Sequence, residues 1–411
     1  MRRFPKKGFK LWCLAVLLML MLTSCALLPT TITDLAGDQG EDDYVTITRE
    51  EYERLQQYAE LDEIRQLVDI YFYEEPDEQA MLDGANMGLL YGLGDPYTFY
   101  YTPQDYADMW ADDEGEYAGV GIQIMADYST GLCTISRVFL DSPALEAGLR
   151  KGDILTRVED IEVYASNLQD AVDIMRGEVG TPVNIQVQRD DQLMDFVVGR
   201  AVVHVNWVNS CMLPGDVGYI SLYEFSGDCS VAFTQQLSDL MAQGAKSLVV
   251  DLRDNPGGWV DDAQRVADLF LDDGTVASLV YRDGTTEYYT TTTSGDENTL
   301  PLVVLVNEYS ASASEILAGA LQDRGRATIV GVQSYGKGVV QYVLPVGERG
   351  AGIQLTVAQY YTPNGNEVHQ VGITPDVLVE WPEGDDNMYD LGDLNDVQLK
   401  KAYDLALEAQ P

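Results

Sequence analysis

Basic residues and histidine are scarce in this sequence. Its 411 residues include 25 Lys and Arg against 67 Asp and Glu, a formal net charge of -42, and only two histidines, His204 and His369. Five of the basic residues lie between Arg2 and Lys10, so the remainder of the chain is even more acidic. A surface this negative repels phosphate groups, which argues against nucleic acid as a partner. We interpret the acidity as a feature of solubility.

Long apolar runs are also missing, except at the N-terminus. There the basic stretch Arg2–Lys10 precedes the apolar run Leu11–Leu22, which is typical of a signal peptide and too short for an ordinary membrane span. The following Thr23-Ser24-Cys25 resembles the end of the lipobox of bacterial lipoproteins, in which the cysteine becomes the lipid-modified first residue. The alternative is a plain secretory signal with an incidental cysteine. We predict a signal peptide over 1–24, lipidation at Cys25, and a lipid anchor in the cell membrane on its extracytoplasmic face.

Cysteine is rare, and its spacing predicts no metal site. The sequence has five cysteines, with no Cys-x-x-Cys pair and no Cys/His spacing of the kind that binds zinc, so we expect neither a metal nor a cofactor. Beyond the lipobox three cysteines remain, Cys133, Cys211 and Cys229. In an exported chain at least one of them is unpaired. A Cys211–Cys229 disulfide and buried free thiols are equally compatible with the sequence.

The pattern of apolar and polar residues changes several times along the chain. Apolar residues recur at intervals of three from Thr48 to Tyr73, which predicts a helix, and a second helical stretch follows over 77–93. Short alternating strands with two short helices then indicate a small mixed domain. From Val205 on, strands and helices alternate, which predicts βαβ units around a largely parallel sheet. We predict a signal peptide over 1–24, an acidic tether over 25–47, an N-terminal helical region over 48–116, the small domain over 117–204, an α/β core over 205–382, and an acidic C-terminal tail with a last helix over 383–411.

A serine-rich junction follows one buried strand of the predicted core. The strand Pro301–Val306 leads, after a short connection, into Ser310-Ala311-Ser312-Ala313-Ser314-Glu315. Small residues there leave room for a substrate carbonyl, and the N–H groups at the start of the next helix can stabilise an oxyanion. A plain helix cap with small residues for close packing explains the same stretch. Any of its three serines is a candidate nucleophile.

A lysine is the best candidate for the base that such a serine needs. Lys337 lies between two glycines in Gln333–Gln341, and neither histidine has a serine motif beside it. A desolvated lysine has a lowered pKa and can act as a general base. The pKa must fall from about 10.4 toward neutrality for this role.

Six motifs follow one another in register along the chain. They are Gly94-Asp95-Pro96-Tyr97-Thr98; Gly119-Val120-Gly121-Ile122 with Ser142-Pro143-Ala144 and Ala147-Gly148-Leu149; Asp251-Leu252-Arg253-Asp254-Asn255-Pro256-Gly257-Gly258; Ser310-Ala311-Ser312-Ala313-Ser314-Glu315; Tyr335-Gly336-Lys337-Gly338 with Gln341; and Tyr360-Tyr361-Thr362-Pro363. With these motifs the chain resembles the carboxy-terminal processing peptidases, also called tail-specific proteases. The resemblance covers about Thr48 to Trp381 and implies a ClpP/crotonase-like α/β protease core with a PDZ domain inserted after the N-terminal helical region.

The resemblance assigns roles to individual residues. It implies that Ser312, rather than its neighbouring serines, is the nucleophile, that Lys337 is its base, and that Gln341 orients the lysine. Tyr309 stands where many members have Gly, so substrate preference does not follow from the family pattern. The oxyanion donors that it implies are Gly257, Gly258 and Ala313.

The PDZ-like segment has residues that suit the binding of a peptide C-terminus. A Gly-x-Gly loop leading into a strand presents N–H groups to the carboxylate of a peptide, which then pairs with the strand edge. The residues implied for this loop are Gly119, Val120, Gly121 and Ile122. Three residues at helical spacing either line the pocket for the last side chain or only fill the core: Leu168, Val172 and Met175. Arg176 follows them, either as a charge that complements the helix dipole or, by resemblance, in a regulatory role.

These features together predict a serine endopeptidase that cleaves extracytoplasmic proteins near their C-termini after PDZ-mediated recognition of the tail. Its expected partners are proteins or peptides with exposed C-termini, with room for an adaptor protein that presents them. The alternative from another class is a catalytically inactive PDZ scaffold, against which the intact Ser312, Lys337 and Gln341 argue. A crotonase-type acyl chemistry on a coenzyme A ester is disfavoured by the export signal and the PDZ segment.

Overall fold

A computed structural model describes residues 46–127, 130–292, 299–382 and 390–411. The predicted signal peptide, Cys25 and most of the tether lie outside the described residues. The described chain falls into two compact units, one ending at Gly92 and the other running from Leu93 to Pro411. Among the described helices, none is long and apolar enough to cross a membrane.

The N-terminal unit consists of three helices that bury no apolar side chains of their own. The helices are α1 (Arg49–Gln56), α2 (Ala59–Tyr71) and α3 (Glu78–Tyr91). Thr48 begins α1 with a reciprocal cap, because its hydroxyl accepts from the Glu51 N–H at 3.1 Å and its own N–H donates to the Glu51 carboxylate at 2.8 Å. The run predicted as one helix from Thr48 to Tyr73 is therefore divided in two.

The small mixed domain is an antiparallel sheet with short helices packed on it. Its sheet has the strand order β3-β4-β5-β7-β8, with β6 paired to β5, so β3 lies at one edge. The elements are β3 (Ile122–Asp127), β4 (Leu132–Val138), α5 (Pro143–Ala147), β5 (Ile154–Val158), β6 (Ile161–Glu162), α6 (Leu168–Met175), β7 (Pro182–Arg189) and β8 (Gln192–Gly199). The antiparallel pair β2 (Glu116–Gly119) and β9 (Ala201–His204) joins the domain to the rest of the chain. Between the helical unit and β2 lie β1 (Phe99–Tyr101) and α4 (Pro103–Glu114).

The core is a six-stranded sheet with helices on both faces, which confirms the predicted α/β class. The strand order is β10-β11-β12-β15-β16-β19, and every pair except β10–β11 is parallel. The strands are β10 (Val208–Leu213), β11 (Val217–Leu222), β12 (Ser247–Asp251), β15 (Leu302–Val306), β16 (Thr328–Gly331) and β19 (Val377–Leu378). Both faces of β12 and β15 are buried, as is typical of a covered parallel sheet.

Alternate residues of these strands face different helices. Val250 and Val304 pack in the cluster that holds α7 (Cys229–Ala242), α8 (Val260–Asp268) and α9 (Ala313–Asp323). Val249 and Val303 pack instead with the buried side chains of α10 (Val397–Glu408). The helix predicted near the C-terminus is therefore part of the core, which its acidic surroundings did not indicate.

A buried network of ion pairs connects the start of α10 to the carboxyl end of strand β12 in the parallel sheet. The Arg253 guanidinium lies 2.6 Å from the Asp251 carboxylate at the end of β12 and 2.7 Å from Asp396 at the start of α10. Arg253 also donates to the side-chain oxygen of Gln398 at 3.2 Å. Because Arg253 precedes the Asn255–Gly258 turn, the last helix is attached directly to that turn's entry.

A second, antiparallel sheet brings distant parts of the chain to the same place. Its order is β1-β18-β13-β14, with β17 paired to β18, so the segment just after the N-terminal helices lies against β18. The remaining strands are β13 (Gly274–Tyr281), β14 (Thr286–Thr291), β17 (Val339–Val346) and β18 (Ala351–Tyr361).

The three cysteines in the described part of the chain are free thiols, not partners in a disulfide. Cys133 and Cys229 are buried free thiols and Cys211 is a partly buried one, so no Cys211–Cys229 disulfide forms. Burial raises the pKa of all three thiols. The thiols are accordingly poor nucleophiles.

Candidate active site

Ser312 occupies a strained turn between a buried strand and a helix. It is the residue before α9, and its backbone has φ 56° and ψ -114°, a conformation that non-glycine residues rarely adopt. Such a residue costs roughly 1–3 kcal/mol and persists only where its surroundings impose it. The serine therefore has a fixed orientation at the N-terminal end of α9, where the N–H of Ala313 is one of the groups without an intrahelical acceptor.

The two flanking serines hold this turn in place. The Ser310 hydroxyl donates to the Leu252 carbonyl at 2.7 Å and accepts from the Asn307 N–H at 2.9 Å. The Ser314 hydroxyl donates to the Asn255 carbonyl at 3.0 Å. Both flanking side chains are fully buried, so their hydroxyls are committed to structure.

The Asn255–Gly258 turn packs directly on Ser312. A Cβ atom at Gly257 would lie 2.7 Å from the Ser312 Cβ and 2.9 Å from the Ala313 nitrogen, so only glycine fits. The Gly257 N–H donates to the Asn255 side-chain oxygen at 2.9 Å, and Gly258 forms a bridge with Phe225. In this conformation the Gly257 N–H is used inside its own turn, while the turn itself forms one wall beside the serine.

Glu315 connects two segments, the serine turn (310–314) and the lysine loop (332–338), which joins β16 to β17. Its carboxylate is fully buried and accepts hydrogen bonds from two different parts of the chain. One oxygen accepts from the Ser312 N–H and from the Lys337 N–H, each at 2.9 Å, so these two nitrogens lie within about 6 Å of each other. The other contacts are the Ser334 hydroxyl at 2.6 Å, the Gly336 N–H at 2.6 Å and the Tyr360 hydroxyl at 3.3 Å.

The environment of Glu315 matches its ionised form. Burial raises the pKa of this carboxyl, and the four donors Ser334, Gly336, Ser312 and Lys337 oppose that rise. Because groups that can donate surround both oxygens, a proton on the carboxyl would have to displace one of them. The negative charge of Glu315 accordingly acts on the lysine next to it.

Lys337 lies half-buried beside Glu315, and its pKa is lowered. Burial lowers the pKa of the ammonium group, and the charges of Glu315 and Asp95 partly oppose this. The Lys337 Nζ lies 5.0 Å from the centre of the Tyr97 ring. The lysine is thus displaced toward the neutral form that a general base requires.

Gln341 lies on β17 at a bulge in its pairing with β18. The side chain is buried, and its amide donates to the Thr356 hydroxyl at 3.2 Å. The structure thus places Gln341 on the sheet that follows the lysine loop, with its amide held from the neighbouring strand.

The histidines occupy very different places. His204 is exposed and lies 3.0 Å from the Glu116 carboxylate on the β2–β9 pair. The main chain of His369 packs on the lysine loop so closely that a Cβ at Gly338 would lie 2.1 Å from the His369 nitrogen. No sequence pattern indicated that His369 approaches this loop, because the two segments lie about thirty positions apart.

The predicted PDZ residues pack within the small domain. Gly121 has φ 91°, and a Cβ there would meet the Ser142 side chain at 2.3 Å, so the loop is tightly packed. Of the predicted pocket residues, Leu168 and Val172 are partly buried and Met175 is buried. The Arg176 guanidinium lies 5.4 Å from the centre of the Tyr117 ring.

Several residues at the site escaped the sequence analysis. Glu315 stood in a motif without a role, and so did Asp95 and Tyr97, which reach the lysine from the other end of the chain. Thr356 lay outside every motif. In the sequence, only the Gly94–Thr98 motif indicated that Asp95 and Tyr97 have a role. No spacing pattern could relate them to the lysine, because the residues lie more than two hundred positions apart.

Comparison with known proteins gives consistent results. A model of peptidase family S41 matches residues 216–379, and a PDZ domain model matches residues 134–189. A carboxy-terminal-processing protease of Bartonella bacilliformis is 37% identical over 342 residues, which is 82% of this chain and 78% of that protein. A carboxyl-terminal-processing protease of Synechocystis sp. is 38% identical over 301 residues, 72% of this chain and 70% of that protein. The solved structure of a photosystem II D1 C-terminal processing protease superposes with a TM-score of 0.56 at 29% identity, covering 81% of this chain and 94% of that one.

The α/β core with its serine at a helix N-terminus, joined to a PDZ domain, defines a serine peptidase that acts on peptide or protein substrates. The chain belongs to the carboxy-terminal processing protease family, within peptidase family S41.

Proposed function

We propose that this protein is an endopeptidase with a Ser312–Lys337 dyad that cleaves extracytoplasmic proteins near their C-termini after its PDZ domain binds the tail. The observation that carries the dyad is the shared Glu315 oxygen, which accepts from the main-chain N–H of both residues. The commitment of Ser310 and Ser314 to structural hydrogen bonds supports the choice of the middle serine.

The geometry supports a sequence of proton transfers between these two side chains. Neutral Lys337 takes the proton from the Ser312 hydroxyl as the oxygen attacks the substrate carbonyl carbon. The Ala313 N–H at the start of α9 stabilises the resulting oxyanion, with the Asn255–Gly258 turn as the opposite wall. The lysine then gives the proton to the leaving amine, and water releases the acyl group from the serine by the reverse path. Gln341 orients the lysine.

The edge strand β3 supports recognition of a tail. A peptide that adds antiparallel to β3, with its carboxylate at the Gly119–Ile122 loop, runs toward Asp127 at the strand's far end. The pKa of Tyr309, three positions before Ser312, is raised by burial, by the charges of Glu308 and Asp254, and to a smaller extent by the charge of Asp127. Six residues of β3 span about 20 Å, so we expect cleavage at least about six residues from the C-terminus.

The proposed location rests on the N-terminal sequence. The basic and apolar stretches before Cys25, and the lipobox-like ending, support export followed by a lipid anchor. The strong acidity of the remaining chain is compatible with such a placement. We propose that the folded units lie on the extracytoplasmic face of the cell membrane.

Labelling with a fluorophosphonate tests the dyad directly. We expect the probe to modify Ser312 in the full chain, and Ser312→Ala and Lys337→Ala each to abolish both labelling and cleavage of an unfolded test protein. Lys246→Ala is the matched control, since that lysine forms an exposed ion pair with Asp216. Tail binding without any labelling or cleavage would instead establish the inactive scaffold. Full activity of folded Lys337→Ala would exclude the lysine as base.

A further inference from the structure

The segment between the N-terminal helices and β1 forms a turn around one carboxylate. Asp95 accepts from the Tyr97 N–H at 3.1 Å and from the Thr98 hydroxyl at 2.6 Å. Two neighbouring hydrogen bonds attach this turn to β18, because Gln354 donates to the Tyr97 carbonyl at 3.1 Å and the Thr356 N–H donates to the Thr98 hydroxyl at 3.0 Å. The turn therefore has a fixed position on the antiparallel sheet.

From this turn a chain of side-chain hydrogen bonds leads to Gln341. The Thr356 hydroxyl accepts from the Gln341 amide at 3.2 Å, and as a donor to the Asp95 carboxylate it helps to lower the pKa of that carboxyl. The Thr98 hydroxyl joins the same two residues, because it accepts from the Thr356 N–H and donates to Asp95. A hydroxyl that donates to a carboxylate has its oxygen free to accept, so each member of the chain fixes the next. The Gln341 amide thus has one orientation, with its nitrogen directed at Thr356.

The same turn places an aromatic ring beside the lysine. The Lys337 Nζ lies 5.0 Å from the centre of the Tyr97 ring, within the range of a cation–π interaction. Burial and a hydrogen bond with Tyr335 raise the pKa of Tyr97 to about 12, so its phenol stays neutral. The face of the neutral Tyr97 ring stabilises the charged Lys337 ammonium. The Tyr97 phenol keeps its proton and so does not act as a second base.

On the basis of the proposed dyad, we infer that Asp95, Tyr97 and Thr356 are positioning residues for the reaction. Through Thr356, Asp95 fixes the amide of Gln341. Through the Tyr97 ring and its own charge, the turn holds the Lys337 ammonium that forms when Ser312 loses its proton. A segment that directly follows the N-terminal helices thereby becomes part of the catalytic apparatus.

The pH dependence of the lysine separates this role from simple structural support. Ionisable groups surround the lysine on several elements. The charges of Glu315 on α9 and Asp95 in the turn act on it, and the Tyr97 ring lies beside it. Tyr335 contacts Tyr97, Tyr360 on β18 contacts Glu315, and the main chain of His369 packs on Gly338. Burial lowers the pKa of Lys337, whereas the charges of Glu315 and Asp95 raise it. Removing the Asp95 charge therefore lowers the pKa of Lys337 further.

We expect the rate of fluorophosphonate labelling at Ser312 to rise with pH as the lysine becomes neutral. In Asp95→Asn, which removes the charge but keeps one oxygen to accept from the Tyr97 N–H, this rise moves to lower pH. Thr356→Val removes the link to Gln341 and lowers the maximal rate about tenfold, as one lost hydrogen bond of about 1.4 kcal/mol predicts, and Thr356→Ser restores it. Tyr97→Phe keeps the ring and labels nearly as fast as the unmodified protein, whereas Tyr97→Leu labels more slowly.

Asp283→Asn is the matched control. Asp283 forms the same kind of turn, accepting from the Thr285 N–H at 2.8 Å in the exposed hairpin between β13 and β14, and its replacement leaves the labelling profile unchanged. The series is repeated with His369→Gln, because the charge of His369 contributes to lowering the pKa of Asp95. An unmoved profile in folded Asp95→Asn, together with full-rate labelling of Thr356→Val, overturns the inference. Labelling that persists in Lys337→Ala overturns the dyad instead, so the two failures are distinguishable.

Discussion

The Glu315→Gln variant measures how much one carboxylate contributes to stability and to the alignment of the serine turn with the lysine loop. The side chain is fully buried and accepts five hydrogen bonds. A glutamine keeps one oxygen but turns the other into an NH₂ group that faces N–H and O–H donors. At least two bonds are therefore lost, either those from Ser334 and Gly336 or those from the serine turn, Lys337 and Tyr360.

The expected size of the effect follows from the kind of bond. A hydrogen bond to a charged group contributes about 1.5–3 kcal/mol, so two of them contribute about 3–6 kcal/mol to the free energy of unfolding. Because a folded domain has only about 5–15 kcal/mol in total, Glu315→Gln leaves a core that folds but is much less stable. We expect labelling at Ser312 to fall at least about a hundredfold, since about 1.4 kcal/mol of lost alignment corresponds to tenfold.

Two measurements check this prediction on the same samples. Urea unfolding followed by tryptophan fluorescence gives the change in stability, and the fluorophosphonate rate gives the change in alignment. Glu308→Gln is the control, because Glu308 is exposed just before the serine turn. If Glu315→Gln unfolds at the same urea concentration as the unmodified protein and labels at the same rate, the carboxylate does not organise the site.

The remaining predictions concern the base, the anchor and the tail. Because burial lowers the pKa of Lys337, kcat/KM should rise with pH below the ordinary lysine range, and the rise should persist when His204 and His369 are both replaced by Gln; its disappearance would make a histidine the base. Cys25→Ala should release the protein from washed membranes, since the lipid contributes about 0.8 kcal/mol per buried CH₂, and continued retention of the processed variant would refute the anchor. Peptides with a free carboxylate should bind and be cut better than amidated ones, and equal behaviour of the two forms would remove tail recognition.

The elements of regular structure were accessible from the sequence because they depend on local patterns. The strand predicted over Pro301–Val306 spans Leu302–Val306 in the parallel sheet. The helix expected after the serine-rich junction spans Ala313–Asp323. Periodicity did not reveal the break at Tyr58, because the apolar intervals continue across it.

The surroundings of the site depend instead on contacts between distant segments. Thr356 meets Asp95 only because β18 pairs with β1, and no local pattern specifies which strands pair. His369 reaches Gly338 through the close packing of two irregular segments. The motifs therefore identified the chemical groups, whereas the polar network around them required the folded chain.

The attachment of α10 to Arg253 has a consequence for the order of assembly. Arg253 and Gln398 are 145 positions apart, so the entry to the Asn255–Gly258 turn gains its partners at α10 only after nearly the whole chain has been made. Contacts of such long range form late and slowly in folding. A partly synthesised chain would thus carry the serine turn and the lysine loop without the finished wall beside them. We therefore expect proteolytic competence to appear only after α10 has packed against the sheet.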